Sequence, residues 1–281
     1  MRTRLTYFTL FFMGFFANEA HAQRTKNFPK KSEYVEKMPH KDSLWVFIMA
    51  GQSNMAGRGL VQPQDTIPNK RIVTIDSLGK WMYAKEPLNF NEPTMKGLDC
   101  GLSFANEMLR AIPNGISIGL IPCAVGNTPI EQWLGDSICR HVPLLTNFKS
   151  KVAQSKKYGE IKGILWHQGE ANAKTERIPF YAENLRKLTK TFRDITGNDA
   201  LPILIGQLGS YAEPMEWQHK WDSINNIIRD VAETDINTYV IYTQDLESKS
   251  DKIHFDSKSQ RTLGKRYADT YLEEVTAMAK K

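Results

Sequence analysis

The sequence predicts an α/β fold in which a mostly parallel β-sheet is covered by helices on both faces. Short apolar runs rich in β-branched and aromatic residues alternate along the chain with longer segments whose apolar residues recur at helical spacing. No internal repeat, low-complexity tract or linker divides the chain after residue 43. Because parallel strands are joined by helical crossovers, this alternation indicates one sheet in a single domain.

The N-terminal segment has the pattern of a secretory signal peptide at residues 1–22. Arg2 and Arg4 precede a phenylalanine-rich apolar stretch, and Ala20–Ala22 gives the small-x-small pattern of a signal-peptidase site. The stretch is shorter than the ~20 residues of a membrane span. A retained anchor is the alternative. Cleavage leaves 259 residues and predicts export to the periplasm or the medium, with no stable membrane association.

Residues 23–42 are polar and lysine-rich, and we expect them to lead into a single domain at residues 43–281. Residues 58–100 are the least regular part of that domain and are expected to form an insertion beside the site. The predicted strands are Leu44–Ala50, Ile116–Ile121, Gly163–His167, Leu201–Gly206 and Thr238–Tyr242. The predicted helices are Leu102–Ala111, Val142–Lys156, Pro179–Thr196, Trp217–Ala232 and Ser257–Ala279.

Charge and cysteine content exclude some classes of protein. The chain has 37 Lys and Arg against 31 Asp and Glu. This excess is spread along the sequence without a basic block between aromatics, so nucleic acid is not an expected partner. Three cysteines allow at most one internal disulfide, and Cys100 with Cys139 is the first pair to test. Cys123 lies in an apolar run and is expected to be a small buried hydrophobe.

Ser53 is the candidate nucleophile. It follows the first predicted strand in the segment Gly51–Met55, and parallel α/β sheets bind ligands beyond the carboxyl ends of their strands. The glycine permits a tight turn, and the following residues can begin a helix whose N–H groups face the site. The pattern resembles a nucleophile elbow, although Met55 stands where the G-x-S-x-G motif has its last glycine. A serine that only caps a helix is the alternative.

His254 is the candidate base, with Asp251 as its carboxylate. An aspartate three residues before a histidine on a loop can fold back and accept the Nδ1–H bond, which fixes the tautomer of the ring. Both residues precede the last predicted helix, so they belong at the same edge of the sheet as the serine. A histidine in a turn with a nearby capping aspartate is the alternative.

Two more predicted strand ends carry groups suited to such a site. The amide of Gln168 can donate to an oxyanion, and Glu170 is either a second carboxylate for His254 or a helix cap. Gly126 lets its backbone N–H approach a ligand closely. His167 and Glu170 are a poor metal site without further ligands, so no metal or cofactor is expected.

Four blocks in this order resemble a known family. They are Gly51–Gly57, Pro122–Gly126, Trp166–Glu170 and Asp251–Phe255. The set is similar to the sialate O-acetylesterase and acetylxylan esterase group, carbohydrate esterase family six, within the SGNH-hydrolase superfamily. The resemblance covers residues 44–272. One departure is the pair Lys252-Ile253 between the acid and the histidine, where relatives often carry Gly-Leu.

The resemblance implies a three-layer α/β/α sandwich with a flavodoxin-like, five-stranded sheet and metal-independent deacetylation of carbohydrates. Ser53 would then be the nucleophile, His254 the base and Asp251 the orienting acid, with Glu170 as a helper acid. The implied oxyanion donors are the N–H groups of Ser53 and Gly126 and the amide of Gln168. Further substrate contacts are expected at Gln52, Asn54, Arg58 and Asn127.

The sequence therefore predicts a secreted serine esterase that removes O-acetyl groups from an acetylxylan-type polysaccharide or oligosaccharide through an acetyl-serine intermediate. A sialate O-acetylesterase is the alternative within the same chemistry, with Arg58 as the residue to test for the sialate carboxylate. A non-catalytic carbohydrate-binding protein on the same fold is the alternative of a different class. A lipase is disfavoured by the mismatched elbow and the lack of a long apolar lid.

Overall fold

The computed structural model describes residues 31–275, so the predicted signal peptide lies outside the described residues. The strands are β1 (Leu44–Gly51), β2 (Ile72–Ile75), β3 (Trp81–Tyr83), β4 (Ser117–Pro122), β5 (Ile138–Cys139), β6 (Val142–Pro143), β7 (Glu160–His167), β8 (Ile203–Gly206) and β9 (Thr238–Ile241). The helices are α1 (Ser53–Ala56), α2 (Gly101–Ala111), α3 (Ile130–Leu134), α4 (Leu144–Tyr158), α5 (Ile178–Thr196), α6 (Met215–Glu233) and α7 (Ser257–Thr270). Within this part of the chain, none of the helices has the length and apolar character needed to cross a membrane.

Seven strands form the main sheet in the order β3-β2-β4-β1-β7-β8-β9. All neighbours are parallel except β2 and β3. The five strands predicted from sequence occupy β4-β1-β7-β8-β9, which is the 2-1-3-4-5 order of flavodoxin-like sheets. The α/β prediction is confirmed, but the count of five strands is wrong. β2 and β3 lie in the segment 58–100, the least regular part of the domain, where short strands do not stand out from the surrounding sequence.

The pleat of the central strand explains why helices cover both faces. In β1, Val46, Ile48 and Ala50 point into one core cluster, whereas Phe47 and Met49 point into the other. Helices α3, α4, α5 and α6 supply apolar residues to the first cluster, and α2 and α7 supply them to the second. Because successive strand side chains face opposite ways, an almost uninterrupted apolar run is what a strand buried on both faces requires.

The polar lead-in covers one edge of the sheet. Val35 N–H donates to the Trp81 carbonyl at 3.1 Å, and Tyr83 N–H donates to the Glu33 carbonyl at 2.9 Å. These bonds satisfy backbone groups of β3 that would otherwise face solvent at the sheet edge. Residues 33–35 are therefore paired with the domain, although most of residues 31–42 are exposed.

The three cysteines are free thiols, so the candidate Cys100–Cys139 disulfide is wrong. Cys100 is buried in the core cluster beneath α2 and α7, and Cys139 packs against the cluster on the opposite face of the sheet. The sheet separates the two sulfurs. Cys123 is fully buried, as expected of a small hydrophobe.

Gly264 sets the distance between α7 and α2. A Cβ at this position would overlap the Cys100 carbonyl oxygen and the Ser103 hydroxyl. We expect Gly264→Ala to lower the free energy of unfolding by about 1–3 kcal/mol, because the helices must separate to admit the methyl group. Thermal unfolding should show a fall in Tm of roughly 2–4 °C per kcal/mol.

Gly115→Ala is the matched control for this substitution. A Cβ on Gly115 meets nothing within 4 Å, so its Tm should stay close to that of the original chain. Equal Tm values for Gly264→Ala and the control would contradict tight packing of α7 on α2.

Candidate active site

The turn after β1 places Ser53 at the edge of the sheet. Gly51 has a φ of +133°, and a Cβ there would overlap the His167 carbonyl oxygen of the neighbouring strand. Gln52 N–H donates to that same carbonyl at 2.9 Å, and α1 begins at Ser53. Only glycine fits this approach without strain. Ser53 thus stands between the carboxyl ends of β1 and β7, at the switch point of a flavodoxin-like sheet.

Ser53, His254 and Asp251 form a continuous hydrogen-bonded chain. The distance between His254 Nε2 and Ser53 Oγ is 3.0 Å, and that between His254 Nδ1 and Asp251 Oδ2 is 2.9 Å. Asp251 Oδ1 also accepts the backbone N–H groups of Ile253 at 3.0 Å and His254 at 2.9 Å. The sequence-predicted nucleophile, base and acid are therefore brought together, 201 residues apart along the chain for the serine and histidine.

The carboxylate of Asp251 is held ionised. Partial burial opposes the charge, but the hydrogen bonds from the His254 ring and from two backbone N–H groups outweigh it and lower the pKa of Asp251 below its usual value. Lys252 lies in the left-handed region at a φ of 56°, a conformation that glycine adopts more easily. The departure noted at this position therefore leaves the turn geometry intact.

The side chain of Asn54 is hydrogen-bonded to the loop that carries His254. Its Nδ2 donates to Glu170 Oε1 at 2.6 Å and to the Ile253 carbonyl at 3.2 Å, and its Oδ1 accepts Phe255 N–H at 3.0 Å. The side chain is 1% exposed. The substrate contact expected of Asn54 stays a prediction, and in this structure its amide is bonded on both sides of His254.

Glu170 is not hydrogen-bonded to His254. Its Oε1 accepts the Asn54 amide, and His254 Nδ1 is already paired with Asp251. The expected helper acid thus acts on the loop through Asn54, and Asp251 is the carboxylate in contact with the ring. Glu170 nevertheless lines the cavity described below.

Gln168 is buried behind the site. Its Nε2 donates to Asn172 Oδ1 at 2.7 Å, to the Thr128 carbonyl at 3.2 Å and to Gln52 Oε1 at 3.3 Å. It is fully buried and is not among the residues that line the cavity. In this structure the amide of Gln168 joins the loops after β4 and β7 and does not reach the cavity.

The backbone N–H of Gly126 also has a partner. It donates to Glu92 Oε2 at 2.7 Å, and a Cβ on Gly126 would lie 2.6 Å from Arg58 Nη2. The glycine is needed for this close approach, but its N–H is not free for a substrate oxygen. Glu92 was missed by sequence reasoning since it lies in the irregular segment 58–100 and belongs to no motif.

The serine and histidine open into a cavity of about 480 Å³. Gln52, Arg58, Gly126 and Asn127 line it, as expected from the sequence. Sequence reasoning missed further lining residues, which are Met95, Arg140, Lys174, Trp217 and Trp221. The half-exposed indole of Trp217 and the side chains of Arg140 and Lys174 give the cavity both apolar and charged lining, a combination typical of small-molecule sites.

The orientation of the Gln52 side chain is fixed by two donors. Its Oε1 accepts Gln168 Nε2 and the Ala171 N–H, each at 3.3 Å. Because both donors contact the oxygen, Nε2 is the end left for the cavity that Gln52 lines. Gln52 thus brings an amide donor to the cavity directly beside Ser53 in the chain.

His167 belongs to the core. Its Nε2 donates to the Gln207 carbonyl at 2.9 Å, and its ring packs edge-on against Phe255 at 5.5 Å. Burial lowers the pKa of His167. No group of three or more His, Cys, Asp or Glu residues within 31–275 could hold a metal ion.

The fold and site define a class: an α/β protein with a serine–histidine–aspartate chain at the switch point of a flavodoxin-like sheet. Residues 43–273 match the family described as carbohydrate esterase, sialic acid-specific acetylesterase. The chain belongs to this family and is a carbohydrate acetylesterase. The resemblance read from the four sequence blocks is confirmed.

Individual proteins agree with this assignment. The chain is 29% identical over 249 residues to a probable carbohydrate esterase of Arabidopsis thaliana, a match that covers 81% of this chain and 90% of the relative. A solved Arabidopsis thaliana structure superposes with a TM-score of 0.70 at 28% identity, covering 81% of this chain and 97% of that one.

Two more distant structures share the fold. NanS gives a TM-score of 0.64 at 17% identity, covering 85% of this chain and all of that chain. A carbohydrate acetylesterase from Xanthomonas citri gives 0.62 at 19% identity, covering 84% of this chain and 56% of that one.

Proposed function

We propose that this protein is an exported serine esterase that removes O-acetyl groups from carbohydrates through an acetyl-serine intermediate. The observation that carries the proposal is the chain from Ser53 Oγ through the His254 ring to Asp251, which opens into a cavity large enough for a sugar. A hydroxyl is a weak nucleophile unless a base lies within hydrogen-bonding reach. The export step rests on the N-terminal sequence pattern alone.

The reaction has two steps. Ser53 Oγ attacks the acetyl carbonyl while His254 Nε2 takes the hydroxyl proton, and the sugar oxygen leaves with that proton as the C–O bond breaks. A water molecule then gives a proton to the same imidazole and attacks the acetyl-serine, which releases acetate and restores the serine. Asp251 holds the ring in the correct tautomer and stabilises its charged form in both steps.

The geometry favours a different oxyanion hole from the one expected. The N–H of Gly126 and the amide of Gln168 are bonded within the protein, whereas Gln52 Nε2 is directed to the cavity. We therefore assign the oxyanion donors to the Ser53 N–H and the Gln52 amide. Such donors act in proportion to how well they are fixed in advance, and the contacts of Gln168 and Ala171 fix this amide.

We expect Gln52→Ala to lower kcat on an aryl acetate by about 10²–10³-fold with a much smaller change in KM, because a donor to the transition state is lost. The comparison variant is Gln168→Ala, which should lower Tm more than Gln52→Ala does, since it breaks four side-chain hydrogen bonds in the buried interior. A larger loss of kcat in Gln168→Ala at unchanged Tm would return the oxyanion role to Gln168.

The substrate is the finer part of the proposal. The sequence favoured an acetylxylan-type glycan, and the description of the matched family favours sialate as a second candidate. Acetate release from a panel that contains acetylated xylan, acetylated neutral oligosaccharides and O-acetyl sialic acid tests both. The preferred glycan should exceed the others in kcat/KM.

The competing class is a carbohydrate-binding protein without catalysis. A serine-directed fluorophosphonate separates the two, because it reacts only with an activated hydroxyl. We expect the probe to label Ser53, as mapped by peptide mass spectrometry. No label at Ser53 together with no acetate from any glycan in the panel would reject the esterase.

A further inference from the structure

Arg140 sits at the tip of a two-residue hairpin over the cavity. β5 and β6 pair Cys139 with Val142, so Arg140 and His141 form the whole loop. Both have left-handed backbones, with φ of 49° and 65°. Such loops favour Asn-Gly, and larger residues there are strained. Strain of this kind persists at sites where a particular side chain must be held in place.

Contacts to Nε and Nη1 fix the guanidinium of Arg140, whereas Nη2 is left without a hydrogen bond in the described part of the chain. Nε lies 2.9 Å from Glu92 Oε1 and 3.4 Å from the Gly126 carbonyl, and Nη1 lies 3.6 Å from Met95 Sδ. Among residues 31–275, Nη2 has no hydrogen-bonding partner. The side chain is 43% exposed and lines the cavity that holds Ser53. A fixed guanidinium with a free donor edge therefore faces the cavity.

This wall of the cavity carries a surplus positive charge. The buried carboxylate of Glu92 is shared by Arg58 at 2.8 Å and Arg140 at 2.9 Å, so one negative charge meets two positive charges. The acidic residues that line the cavity, Glu170 and Glu176, come from the segment after β7. The uncompensated charge favours an anion at this wall.

Arg58 is a poor candidate for that anion. Its side chain is 5% exposed, Nη1 donates to the Gly57 carbonyl at 2.9 Å and Nη2 donates to Glu92. The sequence-based suggestion that Arg58 meets a substrate carboxylate is therefore replaced by Arg140, which retains both exposure and donors. Arg58 instead helps to fix Glu92, the carboxylate with which Arg140 forms its ion pair.

We propose that Arg140 determines specificity by binding the carboxylate of an acidic acetylated sugar. This inference rests on the proposed esterase function and narrows its substrate to sugars that carry a carboxylate near the acetyl group. The planar fork of arginine matches a carboxylate, and its anchorage on Glu92 reduces the entropy lost on binding. Sialic acids and uronic acids present the same carboxylate chemistry.

Binding to the Ser53→Ala variant tests the proposal without turnover. Calorimetry compares an O-acetyl sialic acid glycoside with its methyl ester, and an acetylated, glucuronate-bearing xylo-oligosaccharide with its carboxyl-reduced form. In at least one pair the acid should bind about tenfold or more tightly than its neutral partner. The pair that shows the difference identifies the source of the carboxylate. Equal affinities within both pairs would overturn the proposal.

Adding Arg140→Gln to Ser53→Ala should make the affinities for the acid and its neutral partner about equal. Arg140→Lys in the same background should keep part of the preference for the acid, because lysine retains the charge but lacks the planar pair of N–H donors. Lys96→Gln is the matched control, since it removes the same charge from a nearby residue that does not line the cavity. Loss of the preference in Lys96→Gln, or its survival in a folded Arg140→Gln, would contradict the assignment.

The two proposals fail in different ways. The esterase proposal fails if the unmodified chain releases acetate from neither acidic nor neutral glycans. The Arg140 proposal fails if acetate is released but the ratio of kcat/KM for acid over neutral partner is the same in Arg140→Gln as in the unmodified chain.

Discussion

Replacing Ser53 with alanine should lower kcat for acetate release by about 10⁶-fold, to the level that binding and the remaining donors can support. The reason is that, among residues 31–275, no other hydroxyl has this geometry, in which Oγ lies 3.0 Å from a histidine that is itself hydrogen-bonded to a carboxylate. The measurement is initial acetate release from an aryl acetate and from the preferred glycan, with enzyme at high concentration.

Ser223→Ala is the matched control. Ser223 lies on α6, where its hydroxyl donates to the His219 carbonyl within the same helix, so its loss should leave turnover unchanged. Ser53→Ala removes one side-chain hydrogen bond, which should lower the free energy of unfolding by roughly 1 kcal/mol. Its Tm should therefore stay within a few degrees of that of the original chain. Full activity in Ser53→Ala would reject the nucleophile.

Asp251→Asn should lower kcat by about 10⁴-fold. The asparagine oxygen can still accept the backbone N–H groups of Ile253 and His254, so the loop keeps its shape. What changes is the partner of His254 Nδ1, because an amide no longer offers a negative charge to the imidazolium that forms during each step. Steady-state kinetics on an aryl acetate measures the effect, and a loss below tenfold would contradict it.

The same substitution predicts a pH dependence of stability. The folded state lowers the pKa of Asp251, so its carboxylate contributes stability above its unfolded pKa of about 4 and loses that contribution as pH falls toward the folded value. The difference in Tm between the original chain and Asp251→Asn should therefore be present at pH 7 and shrink below about pH 4. A difference that grows in acid would contradict the lowered pKa.

Substitution of Glu170 tests whether this residue can replace Asp251 as the acid that assists His254. If it were a helper acid, adding Glu170→Gln to Asp251→Asn would remove most of the remaining activity. The contacts instead place Glu170 on Asn54. We therefore expect the Glu170→Gln substitution alone to reduce activity by loosening the loop around His254, with a similar factor in both backgrounds.

The sequence was enough to predict the edge of the sheet and the groups that meet there. The five predicted strands show a clear apolar pattern, and the carboxyl ends of parallel strands lie at one edge, so Ser53 and His254 could be expected to meet. The structure also brings Gly126 and Gln168 to this edge, in line with the motif blocks.

The sequence could not predict which hydrogen-bond partner each polar group of the site would have. Gly126 is paired with Glu92, which lies 34 residues away in a segment without periodicity. Gln168 reaches Asn172, Thr128 and Gln52, and the sum of these contacts decides that Gln52 faces the cavity. Hydrogen-bond partners of this kind depend on packing between distant loops, and a local motif carries no record of them. The candidate disulfide was wrong for a similar reason, because spacing alone did not reveal which face of the sheet each cysteine occupies.

The Glu92 carboxylate has a consequence for how such an enzyme can diversify. It joins the segment 58–100 to two residues of the cavity wall that lie outside that segment, Gly126 and Arg140, and within the segment it pairs with Arg58. Exchanging residues 58–100 for another sequence would change the charged wall while β1, Ser53, β7 and the loop that carries His254 keep their positions. New glycan preferences can thus arise without rebuilding the parts that break the ester.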